Sequence, residues 1–415
     1  MTALHLTDSV TISKLTWVIT NFVLIIEEIY AMAFPSGYVT EEAQEMIVLS
    51  QIAYSAETVK DYNQIQSAIE SALSSEPVLG GNFQLVWLGI SPDYSFLMFI
   101  ARDSRETARY AISVRGTDIS YPPDWIDDLK VLYTNPWPTA NPPNSAIYVS
   151  QGAGEVLQTL LAMTSNIFNL TPPPSIPSPM SMIHLFMNEA LSSAPTTDLD
   201  IFVTGHSLGG EMATVLGLWL ADTTSTWTVR PKKVNLKTYT FAAPTSGNQA
   251  FADYYNSQTN NTQIGWQAYR VYNEQDLVPY AFANLGGIAE NGVPVSFELG
   301  LEIVATMIAA QTTLDHYKVS YVHVGNLADG TAHPLPNNPP QSATSCTNPA
   351  TTLYEYFSCW VLYEHNTGTY MSLLGITSQA PVQRVVKTAR VLSLVTAGAK
   401  PSPASGDPSS GAATT

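Results

Sequence analysis

The chain has 415 residues, 45% of them hydrophobic, with 24 glycines and 28 prolines. That is enough to bury a large core, and it excludes collagen-like or wholly disordered classes. A formal net charge of −17, from 34 acidic against 17 basic residues, excludes a basic stripe for nucleic acid and charge-driven docking on anionic membranes.

Residues 1–36 read as an N-terminal apolar helix region. The run Leu15 to Ile26 is too short to span a bilayer, so no transmembrane segment is expected. Ala31-Met32-Ala33 has the form of a cleavage site, but Glu27 and Glu28 interrupt the approach and Lys14 is the only positive charge before the run. A packed amphipathic helix fits better than a signal peptide, and secreted and cytoplasmic locations both stay open.

Between 37 and 74 the apolar spacing predicts packing helices. Three strands follow, over 83–90, 95–102 and 110–115, the first two close enough to form an antiparallel hairpin. The third runs into Arg115-Gly116-Thr117, where a glycine allows close approach and Thr117 offers an N–H for an oxyanion. Tyr121 to Leu129 is an amphipathic piece in which Trp125 and Ile126 are candidate lid or lipid-contact residues. A short helix packed through Trp125 fits equally well. A helix is expected over 152–163, an exposed proline-rich insertion over 166–180, and a further helix over 182–191.

The stretch Asp200 to Ala213 is the most informative. A β-branched and aromatic strand, Asp200 to Thr204, meets a long apolar helix beginning near Glu211, and between them Gly205-His206-Ser207-Leu208-Gly209 fits Gly-x-Ser-x-Gly. On such a sharp turn a serine hydroxyl is lifted from the sheet, and Leu208 N–H lies at the helix N-terminus, where negative charge is favoured. The side chain of His206 must diverge from that of Ser207.

Strands are next expected over 233–241 and 266–272, the second leading to Asn273-Glu274-Gln275-Asp276-Leu277-Val278-Pro279. Asp276 lies after Ser207 in the chain order Ser, acid, His, with Glu274 as the competing acid. The apolar stretch 295–313 reads as a core helix in preference to the lining of an acyl pocket, 334–350 as irregular, and Lys400 to Thr415 as a disordered tail.

Of seven histidines, His5 and His184 precede Ser207. His323 lies in an alternating, strand-like Tyr321 to Gly325; His316 follows the apolar stretch, and His333 sits in a loop rich in glycine and proline. His365, on a loop ahead of a final helix Tyr370 to Leu374, is the preferred base, with His323 second. Cys346 and Cys359 have no metal-ligand spacing, so no zinc site is expected, and serine-histidine-acid chemistry needs neither a metal nor an organic cofactor; a disulfide and two free thiols both remain open.

Taken together, Val203 to Gly210, Arg115-Gly116-Thr117, Asp124 to Leu129, Thr240-Phe241-Ala242-Ala243-Pro244, Arg270 to Pro279 and His365 to Tyr370 resemble the class 3 lipases, the family of the fungal triacylglycerol lipases. The resemblance implies an α/β-hydrolase fold, a mostly parallel central sheet flanked by helices. It implies one domain over 37–380 with insertions at 166–180 and 284–350, followed by a C-terminal segment, 381–415. It also implies Ser207, Asp276 and His365 as catalytic triad, Thr117 and Leu208 as oxyanion donors, and a lipid ester such as an acylglycerol as substrate. A phospholipase A1 or feruloyl-type esterase would use the same machinery, and a non-catalytic lipase-like binding or signalling protein would keep the fold alone. One departure stands out: many members have His-x-Gly-Phe where this chain has Ser150-Gln151-Gly152-Ala153.

Overall fold

β-branched and aromatic side chains fit a pleated, half-buried surface, and the apolar runs of the first half become β1 (Phe83–Ile90), β2 (Leu97–Asp103) and β3 (Arg109–Val114). The structure is a computed structural model, and it describes residues 37–106, 108–116, 130–140, 146–167, 198–226, 233–259, 265–283, 312–337 and 353–376, with 183 and 187. The chain forms two compact units, Met1–Val39 and Thr40–Thr415. The fold below is that of the second.

Among the described residues one sheet has seven strands in the order β1-β2-β3-β6-β7-β8-β9. Here β6 is Leu199–His206, β7 Val234–Phe241, β8 Trp266–Asn273 and β9 Ala332–Leu335, while β4 (Thr134–Pro136) and β5 (Tyr148–Ser150) form a separate small pair. β1 and β2 form the expected antiparallel pair, and β3 is antiparallel to β2. From β3 onward every neighbour is parallel.

Helices α1 (Thr40–Ile52) and α2 (Tyr62–Ser75) occupy the expected region, followed by α3 (Gln151–Ala162), α4 (Leu208–Thr223), α5 (Gln249–Thr259), α6 (Leu353–His365) and α7 (Thr367–Leu373). Side chains alternate across a strand, and β7 uses this to hold a helix on each face. Lys237 and Tyr239 reach Glu42 of α1, whereas a Cβ at Gly217 of α4 would run into Thr238. The central strands are therefore covered on both faces, which suits their nearly unbroken burial. α4 is buried along almost its whole length, as a helix apolar on all sides must be.

Three expectations change. Tyr321 to Gly325 is not a strand: Val322 N donates to Gly247 O and the Tyr321 hydroxyl to Val131 O, so its alternation serves packing against loops. His333 is on a strand rather than in a loop, because β9 adds to the sheet's edge, where the missing N–H of Pro334 is tolerated. His365 ends α6 instead of lying in a loop. Cys359 is disulfide-bonded, which sets aside the reading of two free thiols. Ile183 and Met187 are helical and buried, but the rest of the expected 182–191 helix, the insertion beyond 167, most of the apolar stretch 295–313, residues 338–350 and the tail lie outside the described residues. Among the described residues no helix is long and apolar enough to cross a membrane.

Candidate active site

Between β6 and α4 the backbone reverses at Ser207, which has φ 61 and ψ −131, a conformation that non-glycine residues rarely adopt. The turn is held by Ser207 N donating to Phe241 O at 2.9 Å and by Gly210 N and Glu211 N donating to Ser207 O at 2.8 and 3.2 Å. Its neighbours must be glycine: a Cβ at Gly205 would overlap the backbone of Gly209, and one at Gly209 would strike the carbonyl of Val114. Leu208 opens α4, so its N–H belongs to the first turn, whose amides have no intrahelical acceptor and whose dipole favours an anion.

β3 delivers a second segment to the same place. Arg115 is buried, and its Nη2 donates to Tyr94 O at 2.6 Å and Ser95 O at 3.2 Å, fixing the strand's exit. Gly116 follows, so close to the elbow that a Cβ there would meet the Tyr54 hydroxyl and the carbonyl of His206. Thr117, Trp125 and Ile126 lie outside the described residues.

Past the end of β8, Asp276 is fully buried, and its carboxylate accepts three hydrogen bonds. Oδ1 accepts from Val278 N at 3.0 Å, and Oδ2 accepts from the Tyr370 hydroxyl at 2.8 Å and from His365 Nδ1 at 2.7 Å. A carboxylate only accepts, so Nδ1 of His365 carries the proton and Nε2 is the basic nitrogen. His365 comes from the last residue of α6, and Tyr370 from α7, whose start is capped by Asn366 accepting from Gly368 N at 2.8 Å.

Asp276 and His365 thus meet, and His206 brings the strand end that precedes Ser207 against them. Its ring, on the residue before Ser207, lies 4.8 Å from that of His365, centroid to centroid, and 5.7 Å from that of Tyr370. His206 Nε2 is 2.7 Å from the carbonyl of His365. Burial pushes the His206 pKa well below its ordinary value, so the ring is neutral at working pH.

The competing residues are elsewhere. His323 meets Thr245 Oγ1 at 3.1 Å, and burial lowers its pKa to about 3. His333 bonds Gly330 O, and His316 is exposed against the ring of Tyr317. It is Asp276, and not Glu274, whose carboxylate meets the imidazole.

Sequence reasoning missed the contacts behind these groups. Asn273 Nδ2 donates to both Glu364 O and Glu364 Oε2, at 3.0 and 2.8 Å, and Asn337 donates to the same carboxylate at 2.5 Å. Glu211 is buried one helical turn past Ser207, with Oε1 3.4 Å from Ser150 Oγ. Burial pushes its pKa up to about 8, and its Oε2 has no hydrogen-bond partner among the described residues. The departure at Ser150 was the one available signal of that pair. Among the described residues no group of histidine, cysteine and carboxylate side chains is arranged to hold a metal.

Residues 111–285 match the model of the family described as lipase (class 3), and the match spans Gly116, the elbow and Asp276. His365 lies beyond it. The fold is similar to that of the solved M37 lipase, at 24% identity and a TM-score of 0.60, over 82% of this chain and 93% of that one. It is also similar to the Rhizomucor miehei triacylglyceride lipase, at 18% identity and a TM-score of 0.45, over 79% and 95%. With the matched residues lying on the mostly parallel sheet and its serine elbow, residues 111–285 are similar to the class 3 lipases, and the chain has the α/β-hydrolase fold.

Proposed function

We propose that the protein is a serine carboxylester hydrolase that cleaves fatty-acyl esters, with triacylglycerol as the favoured substrate, through Ser207, His365 and Asp276. The Ser207 oxygen attacks the ester carbonyl while His365 Nε2 takes its proton. The N–H groups of Leu208 and Thr117 stabilise the tetrahedral oxyanion, and the alcohol leaves with the proton returned by His365. Water then repeats the cycle on the acyl-enzyme. Asp276 holds the imidazole in the tautomer that this sequence of transfers requires.

The observation that carries the reading is the 2.7 Å contact of His365 Nδ1 with the buried Asp276 carboxylate, beside a serine in a positive-φ turn. Trp125 and Ile126 belong to this proposal as lid or lipid-contact residues. The test is Ser207→Ala assayed on p-nitrophenyl butyrate and on emulsified triglyceride. The expected result is a fall in kcat of at least about 10⁴-fold on both. Retained hydrolysis would overturn the nucleophile assignment, and a parent enzyme active on phospholipid or feruloyl esters but inert on triglyceride would overturn the substrate.

A further inference from the structure

The last carbonyls of a helix have no intrahelical donors and must be satisfied from outside. α6 ends on the candidate base, and each of its last three carbonyls has an identified donor. Tyr363 O accepts from Asn366 N and from the Thr369 hydroxyl, both within the local chain. The next two are served from far away in sequence: Glu364 O by Asn273 Nδ2 at 3.0 Å, and His365 O by His206 Nε2 at 2.7 Å.

The origin of these two donors is informative. His206 ends β6, one residue before Ser207, and Asn273 ends β8, three residues before Asp276. We propose that His206 and Asn273 are positioning residues, each gripping one of two successive carbonyls of the backbone that bears His365, so that the imidazole is registered against the serine and the acid together. This rests on the reading of Ser207, Asp276 and His365 as the catalytic trio.

The chemistry of His206 fits the task. A carbonyl only accepts, so the Nε2 of His206 carries the ring's proton. The Tyr54 hydroxyl stands 3.3 Å from Nδ1 and 3.1 Å from the His206 carbonyl, bracketing the residue from α1's side. Burial keeps the ring neutral, so its single proton is committed to the carbonyl of His365. Asn273 is held as firmly: its Oδ1 accepts from Gln275 N at 3.0 Å and from Asn337 Nδ2 at 3.2 Å.

Positioning predicts a loss in turnover without a matching loss in substrate binding, since a small misplacement of a base can cost about 100-fold in rate. The experiment measures kcat and KM on p-nitrophenyl butyrate for His206→Phe, His206→Asn and His206→Gln, alongside Ser207→Ala. Glutamine can carry an amide donor to the place of Nε2, whereas asparagine is too short and phenylalanine has none. The expected result is kcat down about 10–100-fold for Phe and Asn, KM within about twofold, and most of kcat kept by Gln. If His206→Phe fails to fold, the Gln and Asn pair decides alone. Asn273→Ala, freed of any effect at the elbow, should show the same split between kcat and KM. Equal kcat in the Gln and Asn variants, or losses confined to KM, would overturn the positioning role while an inactive Ser207→Ala leaves the trio standing. An active Ser207→Ala would instead remove the reading beneath it.

Discussion

The Tyr370 hydroxyl and His365 Nδ1 converge on one oxygen, Oδ2 of Asp276, at 2.8 and 2.7 Å. Tyr370 is wholly buried, and its hydroxyl also accepts from Asn273 N at 3.0 Å, so a single phenol ties the acid to the end of β8. Tyr370→Phe keeps the ring packing but removes a donor from the carboxylate and strands a backbone N–H. Stability should fall by about 1–3 kcal/mol in urea unfolding, and kcat by roughly tenfold as the carboxylate loses its second anchor. A variant as stable and as active as the parent would show that the phenol contributes nothing.

His365→Ala should abolish hydrolysis, whereas His323→Ala should leave kcat within about threefold of the parent. The basis is the partner each ring has: Asp276 for His365, and the Thr245 hydroxyl for His323. His323 is neutral throughout the working range, because burial and then the nearby Arg270 depress its pKa to about 3. Its loss removes packing, so the Tm should fall while the rate per folded molecule holds. Loss of hydrolysis in the His323 variant alone would reverse the assignment.

Glu211 makes stability depend on pH. In the unfolded chain its carboxyl ionises near 4.5, but burial, only partly offset by the Ser150 hydroxyl, raises this in the folded protein to about 8. Between those values the native state holds a proton that the unfolded state has lost. The contribution is thus complete below 4.5 and falls away as pH rises toward about 8, by up to about 1.4 kcal/mol per unit. Glu211→Gln carries no titrating proton, so the gap in unfolding free energy between variant and parent should widen in the variant's favour from pH 5 to pH 8. Parallel curves would show that Glu211 does not titrate in this window.

Away from the site, Lys237 Nζ lies 2.7 Å from Glu42 Oε2, with the lysine side chain fully buried. The Tyr239 hydroxyl donates to the same oxygen at 2.7 Å. Removing one member leaves a charge that burial penalises, so Glu42→Gln should cost about 3–5 kcal/mol. Adding Lys237→Met should recover most of that loss, because glutamine still accepts from Tyr239 and no ion remains. If the double variant is as unstable as the single one, the loss comes from packing and not from the stranded ammonium.

Much of this was written locally. Gly205 and Gly209 announce the elbow because no other residue fits where strand and helix backbones touch, and β6, β7 and β8 announce themselves by apolar runs of strand length. Where a short segment relies on tertiary partners, the pattern misleads. Tyr321 to Gly325 alternates like a strand but is pinned to loops, and β9 is only four residues long and contains a proline. The aromatic run before His365 hid the helix that bears it. Tyr370 and Asn273 could not be assigned their partners at all, since those lie 94 and 91 residues away and no local regularity encodes such a pairing.

The grip on the end of α6 has one more consequence. Asp276 and His365 are 89 residues apart, and the backbone bearing the imidazole is bonded to the tips of β6 and β8, with Asn337 and Glu364 of the joining polypeptide bracing the β8 side. Under the proposed grip, changes of length between Asn337 and α6 that keep Asn337 and Glu364 in place should leave proton transfer untouched, so substrate preference can diverge there.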